Sequence, residues 1–213
     1  LLSVESFEND YYLLMLTKGG FIKRTPLSAF SKIRSNGLIA ISLEEGDALT
    51  WVRSSSEGDS VLIGSSKGMT IHFRLDINEL RPLGRTARGV KSMNLRDGDQ
   101  LVSMDVLTSE LVEQLSTLDD IDIDANDDSE NNLSEGPWVL VASSFGLGKR
   151  VPVTQFRLQK RAGMGLKAIK FRIKNDVLVG LKVLGKGEEI LLVTEKGVIV
   201  RTNADKISQQ SRA

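Results

Sequence analysis

Residues 13–47, LLMLTKGGFIKRTPLSAFSKIRSNGLIAISLEEGD, decide the fold. An apolar run reaches Thr17, Lys18-Gly19-Gly20 follows, and a second apolar run, Phe21 to Thr25, carries Lys23 and Arg24 near its end. Glycine accepts the positive φ of a tight turn, so the two runs form a β-hairpin. Pro26-Leu27-Ser28 then starts a single helical turn or structured loop anchored on Phe30. Beyond Arg34 and Gly37 comes another strand, LIAISL, which closes in Gly46-Asp47.

The unit returns three times, as VLIGSSKGMTIHF (61–73), WVLVASSFGLGKRV (138–151) and ILLVTEKGVIVRT (190–202). The turn glycines Gly20, Gly68, Gly146 and Gly197 are spaced by 48, 78 and 51 residues, and removing a 30-residue insert from the middle interval restores 48. A period near 50 belongs to propeller blades. Phe30, Leu80, Phe156 and Ile207 form an apolar anchor column, expected in the core with Trp51 and Trp138. Gly37, Gly89 and Gly165 each precede a strand, and Asp47, Asp99 and Asp176 each precede the last one. Four strands per unit with no long helix predict an all-β, propeller-like array of blades, in which repetition protects edges that a lone sheet would expose. The units are expected at 8–56, 57–106, 137–186 and 187–213, the last stopping midway, as in an excerpt from a longer array.

The formal charge of zero conceals a segregation. Residues 107–136 hold ten acidic side chains and no Lys or Arg, so the body carries 28 basic against 18 acidic residues. A cationic body of net +10 suits a polyanionic partner. A brief helix at 107–118 followed by a disordered acidic loop is expected for the insert. Asp120, Asp122 and Asp124 begin like a calcium loop, but Ala125 stands where the sharp turn needs Gly and Asn131 where a bidentate Glu is needed. With no cysteine there is no disulfide framework or thiolate metal site, which fits a reducing, intracellular compartment. No apolar run approaches the ~18 residues of a membrane span.

Catalytic motifs fail in context. Gly163-Met164-Gly165-Leu166-Lys167-Ala168 satisfies a dinucleotide fingerprint but precedes a strand, and Gly146-Leu147-Gly148-Lys149 lacks the Ser/Thr and glycine spacing of a phosphate loop. His72, the single histidine, falls in the column of Arg24, Arg150 and Arg201 and is expected near the surface. No catalytic or metal residue is assigned. What recurs is basic: Lys23, Arg24, Lys32 and Arg34; Arg74, Arg85, Arg88 and Lys91; Lys149, Arg150, Lys160, Arg161 and Lys167; Arg201. Repetition with the blade would set them at equivalent radii, a belt able to track a duplex by displacing its counterions without reading base sequence. Solubilising charge is the alternative for any one of them, and a protein-interaction scaffold is the alternative for the whole.

At these residues the chain resembles the C-terminal domain of the A subunit of DNA gyrase, a type IIA topoisomerase, and, less closely, its counterpart in topoisomerase IV. The combination G-x-x-K-R, Phe, R-x-x-G and L-x-x-G-D carries the likeness over nearly the whole chain outside the insert. The resemblance implies a β-pinwheel whose neighbouring blades exchange strands and whose rim binds and bends double-stranded DNA, directing strand passage in ATP-dependent negative supercoiling. It implies two partners besides DNA, the cleavage core of the gyrase A subunit and the gyrase B subunit, within a complex of two of each. ATP and Mg2+ are implied elsewhere in that complex, with no cofactor in this segment and no catalytic role for Tyr11 or Tyr12. The family's Gln-Arg-Gly-Lys box is not in the sequence, which keeps topoisomerase IV as the alternative. The long insert resembles plant organellar forms, implying chloroplast or mitochondrion, with bacterial cytoplasm as the alternative.

Overall fold

A computed structural model describes residues 2–4, 6–7, 11–32, 35–113 and 136–212. Arg34, the acidic run of the insert and its calcium-like aspartates lie outside them. The strands are β1 (Tyr11–Thr17), β2 (Phe21–Pro26), β3 (Leu49–Ser56), β4 (Ser60–Ser65), β5 (Met69–Arg74), β6 (Val90–Lys91) and β7 (Leu101–Leu107). They continue with β8 (Trp138–Ser143), β9 (Gly148–Pro152), β10 (Leu166–Lys167), β11 (Leu178–Leu184), β12 (Glu189–Val193) and β13 (Ile199–Asn203). The expected single turns are 3-10 turns at Leu27–Phe30, Val153–Gln155 and Ala204–Lys206. In the second unit an aspartate turn replaces them, with Asp76 Oδ1 accepting from the amides of Asn78 and Glu79.

The sheets run β3-β1-β2-β6, β7-β4-β5-β10, β11-β8-β9 and β12-β13, so the described residues form an array of blades that does not close. Neighbouring units exchange strands. β6 belongs to the second unit but pairs with β2 of the first, and β10 belongs to the third but pairs with β5 of the second. The glycines before these strands are required where the exchange occurs. At Gly89 φ is 102° and a Cβ would lie 2.6 Å from the Ile22 carbonyl oxygen, while at Gly165 φ is 76° and a Cβ would strike the Thr70 carbonyl.

Burial explains why the strands read as continuous apolar runs. Every residue of β4 is buried because each of its faces meets a different neighbour. Val61 and Ile63 pack with Leu14, Leu16 and Ile22 of the first unit, while Leu62 packs with Val139, Val141 and Val151 of the third. The core is thus a series of seams between blades. Phe30, Leu80 and Phe156 are buried and Ile207 packs against Leu140 and Leu184, as the anchor column predicts. β12 and β13 differ: Leu191, Val193 and Ile199 are exposed in their two-stranded hairpin.

The inner and outer ends of each blade can be told apart. β3, β7 and β11 adjoin one another: Asp105 of β7 lies 2.9 Å from Lys182 of β11 and 3.9 Å from Arg53 of β3, and Ser103 Oγ donates to the Leu181 carbonyl at 3.0 Å. The opposite ends of the sheets, β6 and β10, are therefore outermost.

Candidate nucleic-acid interface

The first finding overturns part of the expected belt. Lys23 and Arg24 are fully buried and Lys149 and Arg150 nearly so. Arg24 Nε donates to the Leu80 carbonyl at 2.5 Å and its Nη1 to the Leu75 carbonyl at 2.7 Å, with Glu57 on the guanidinium at 2.7 Å. Arg150 repeats this two seams later, on the Ile207 carbonyl at 2.9 Å and the Asp205 carboxylate at 3.0 Å. Lys23 Nζ donates to the carbonyls of Gly84 and Arg85, and Lys149 Nζ to that of Ser211. The repeat that suggested equal radius places all four at equal depth inside a seam. A guanidinium or ammonium already held by carbonyls, away from solvent, does not reach a phosphate.

His72 is corrected in the same way. It is buried, not superficial, with Nδ1 2.6 Å from the Phe156 carbonyl and Nε2 2.8 Å from Ser60 Oγ. Burial lowers its pKa against the opposing bond to Phe156, and nearby Arg74 lowers it further. A neutral imidazole that donates from Nδ1 accepts at Nε2, so the pairing is satisfied without charge. Three successive seams therefore share one clasp. The side chain in the column of Arg24, His72 and Arg150 meets the carbonyl of the next unit's anchor, Leu80, Phe156 or Ile207. In return the amides of Leu83, Gln159 and Gln210 donate to the carbonyls of Arg24, His72 and Arg150. Desolvation lowers the Lys23 pKa from 10.5 to about 8 and, with Arg212, lowers that of Lys149.

The aspartate column acquires a role that spacing alone did not reveal. Asp99 accepts from Ser65 Oγ, Ser66 Oγ and the amides of Lys67 and Gln100, at 2.7 to 2.9 Å. Asp47 similarly takes the amides of Gly19 and Ala48, and Asp176 takes Ser144 Oγ and the amides of Phe145 and Val177. Each carboxylate latches the hairpin turn of its own unit. Burial pushes the Asp99 carboxyl up, but these donors outweigh it and hold it below the usual range.

The remaining cations divide by exposure. Lys91 and Lys167, on the outermost strands, are exposed, as are Lys32 and Lys160, while Arg74 and Arg85 are half-buried. Arg88 is exposed but paired with Glu44 and stacked on Phe21, 4.2 Å from the ring centroid. Arg161 is half-buried and staples the second unit through the carbonyls of Glu79 and Lys91. Arg201 pairs with Glu189. The columns also missed exposed cations. Arg96, Lys170, Arg172 and Lys174 lie on the returns from outer to inner strands. In AIKFRIKND their alternation with Ile169 and Phe171 reads as an ordinary strand, which concealed them.

A family model described as "DNA gyrase C-terminal domain, beta-propeller" matches residues 11–56, 59–108, 137–184 and 188–213. The A subunit of DNA gyrase from Synechocystis is 54% identical over 219 aligned residues, covering all of this chain and 26% of that protein. A solved DNA gyrase A C-terminal domain superposes with a TM-score of 0.75 at 27% identity, covering 98% of this chain and 61% of that one. The C-terminal domain of a DNA topoisomerase IV gives a TM-score of 0.79 at 24% identity, covering 99% and 58%, and speaks to the fold alone.

Proposed function

Because the chain belongs to the DNA gyrase C-terminal domain family, we propose that it binds duplex DNA along its outer edge and bends it, as a non-catalytic part of a supercoiling topoisomerase. The carrying observation is the strand exchange. It puts Lys91 and Lys167, one unit apart, on the outermost strands of successive blades, both exposed. Cations on a curved edge contact phosphates at intervals and favour a duplex curved to match. Partnership with the cleavage core of the gyrase A subunit and with the gyrase B subunit belongs to the same proposal, as does the placing of ATP and Mg2+ chemistry in those other parts.

Relaxing circular DNA with a nicking-closing enzyme while the protein is bound tests bending directly. A shift in the topoisomer distribution is expected, lost in Lys91→Glu/Lys167→Glu. An unshifted distribution would favour a protein-interaction scaffold.

A further inference from the structure

We propose that residues 168–174 form a second phosphate-contacting track, distinct from the outer edge, that carries a bound duplex inward across the seam between the second and third blades. This rests on the DNA-binding reading above and names a part of the surface that the repeated columns do not contain.

The segment leaves outermost β10 and reaches innermost β11, so its path crosses the blade from rim to centre. It is fixed to the hairpin turn of the preceding blade at both ends. The amide of Ala168 donates to the Gly68 carbonyl at 2.8 Å, and that of Leu178 to the Ser66 carbonyl at 2.9 Å. Between these bonds Ile169 and Phe171 press on Gly68, where a Cβ would lie 2.8 Å from Ile169 Cγ2 and 3.2 Å from the Phe171 ring. Lys170 and Arg172 alternate with them and are exposed, and Lys174 is exposed in the turn that follows. The packed side thus displays Lys170 and Arg172 from a fixed backbone, with Lys174 next along the chain before the second anchoring bond, which removes much of the ordering cost of binding an anion.

The run of three cations is particular to this unit. Counted from Gly37, Gly89 and Gly165, the positions of Lys170 and Arg172 hold Ser42 and Glu44 in the first unit, and Asn94 and Arg96 in the second. Glu44 is paired with Arg88, and Asn94 donates to the Ala162 carbonyl at 2.6 Å. In the third unit Asp176 is turned into the latch on Ser144 and Phe145, leaving the three cations without a carboxylate of their own segment. Lys167 and Lys160 continue the positive surface to the outer edge, which suits a long polyanion better than a small one.

The test is the salt dependence of binding to a mixed-sequence duplex, measured with the whole chain. Lys170→Gln/Arg172→Gln/Lys174→Gln should flatten the slope of log K against log salt by about 2.7 if all three side chains contact phosphate. An equally exposed control, Lys18→Gln/Lys196→Gln/Lys206→Gln, should change it by less than about 1. Equal slopes for the two variants would overturn the inference while leaving the DNA-binding reading intact. A wild-type chain with no salt-dependent duplex binding would sink both. Since the substituted side chains are exposed, unchanged thermal melting checks that the fold is kept.

Discussion

Lys23 shows how a cation in a repeat column can serve the fold instead of a ligand. Its ammonium lies in a carbonyl-lined seam, and desolvation lowers its pKa to about 8. The folded state therefore releases this proton more readily than the unfolded chain, whose lysine keeps the ordinary value of 10.5. Below about pH 8 both states are charged and burial costs its full amount; above about 10.5 neither is charged and the cost is gone. Stability should thus rise between these pH values, by at most about 1.4 kcal/mol per pH unit for one proton. Lys23→Met should reduce that rise in urea titrations, and adding Lys149→Met should reduce it further, because burial lowers that pKa too. An unchanged rise in the double variant would remove Lys23 and Lys149 as its source. Sequence made the recurrence of Lys23, Arg24 and Arg150 plain, but depth depends on packing partners roughly 55 to 60 residues away in the next unit. Periodicity marks equivalence; it does not say which equivalent place is exposed.

At the level of the element, the hairpin turn and the Gly-Asp that follows it form one device. The turn glycines and the aspartates were both legible, since each recurs at nearly fixed distance. Their connection was not, because Asp99 lies more than 30 residues along the chain from Ser65 and Ser66 and folds back only when β7 pairs with β4. Replacing its four accepted hydrogen bonds by a methyl, as in Asp99→Ala, should cost about 2 kcal/mol, the partial exposure letting water recover some donors. Its pH signature has the same sense as that of Lys23, stability rising with pH, but falls in the acid range and reflects a stabilising charge instead of a costly one. The folded carboxyl is held below its ordinary value of 3.8, so its stabilisation is complete above that pH and fades as pH falls through the lower folded value. Asp99→Asn should therefore lose stability at pH 7 and narrow its gap to wild type in acid; a gap that stayed constant down to low pH would show that the charge is irrelevant to the latch.

For the molecule as a whole, what holds is the seam rather than the blade. The all-β array and its period of about 50 follow from four copies of one hairpin, and the exchange of strands follows from the family resemblance. The short β6 and β10, two residues each, are too brief for any pattern of alternation to announce which sheet they join. Their allegiance to the preceding blade makes the units interdependent, as do the cores shared across each seam. The insert offers a way to measure this. Expressing residues 1–113 and 136–213 as two chains divides the protein at the seam between the second and third units without cutting a described strand. Rejoining them restores the β5–β10 pair, the packing of Leu62 and Val112 against the valines of the third unit, and the Asp105–Lys182 and Ser103–Leu181 contacts. The two chains should co-purify as a one-to-one complex with a single unfolding transition. Gly64→Val should disrupt it, because a Cβ there would come 2.5 Å from Leu181 Cδ1. If each piece instead melts separately at the temperature of the intact chain, the blades are independent domains and the seam is a mere contact. The same experiment bears on DNA bending, since a curved edge held by interdependent seams keeps its curvature under load, whereas independent blades on a string would follow the duplex.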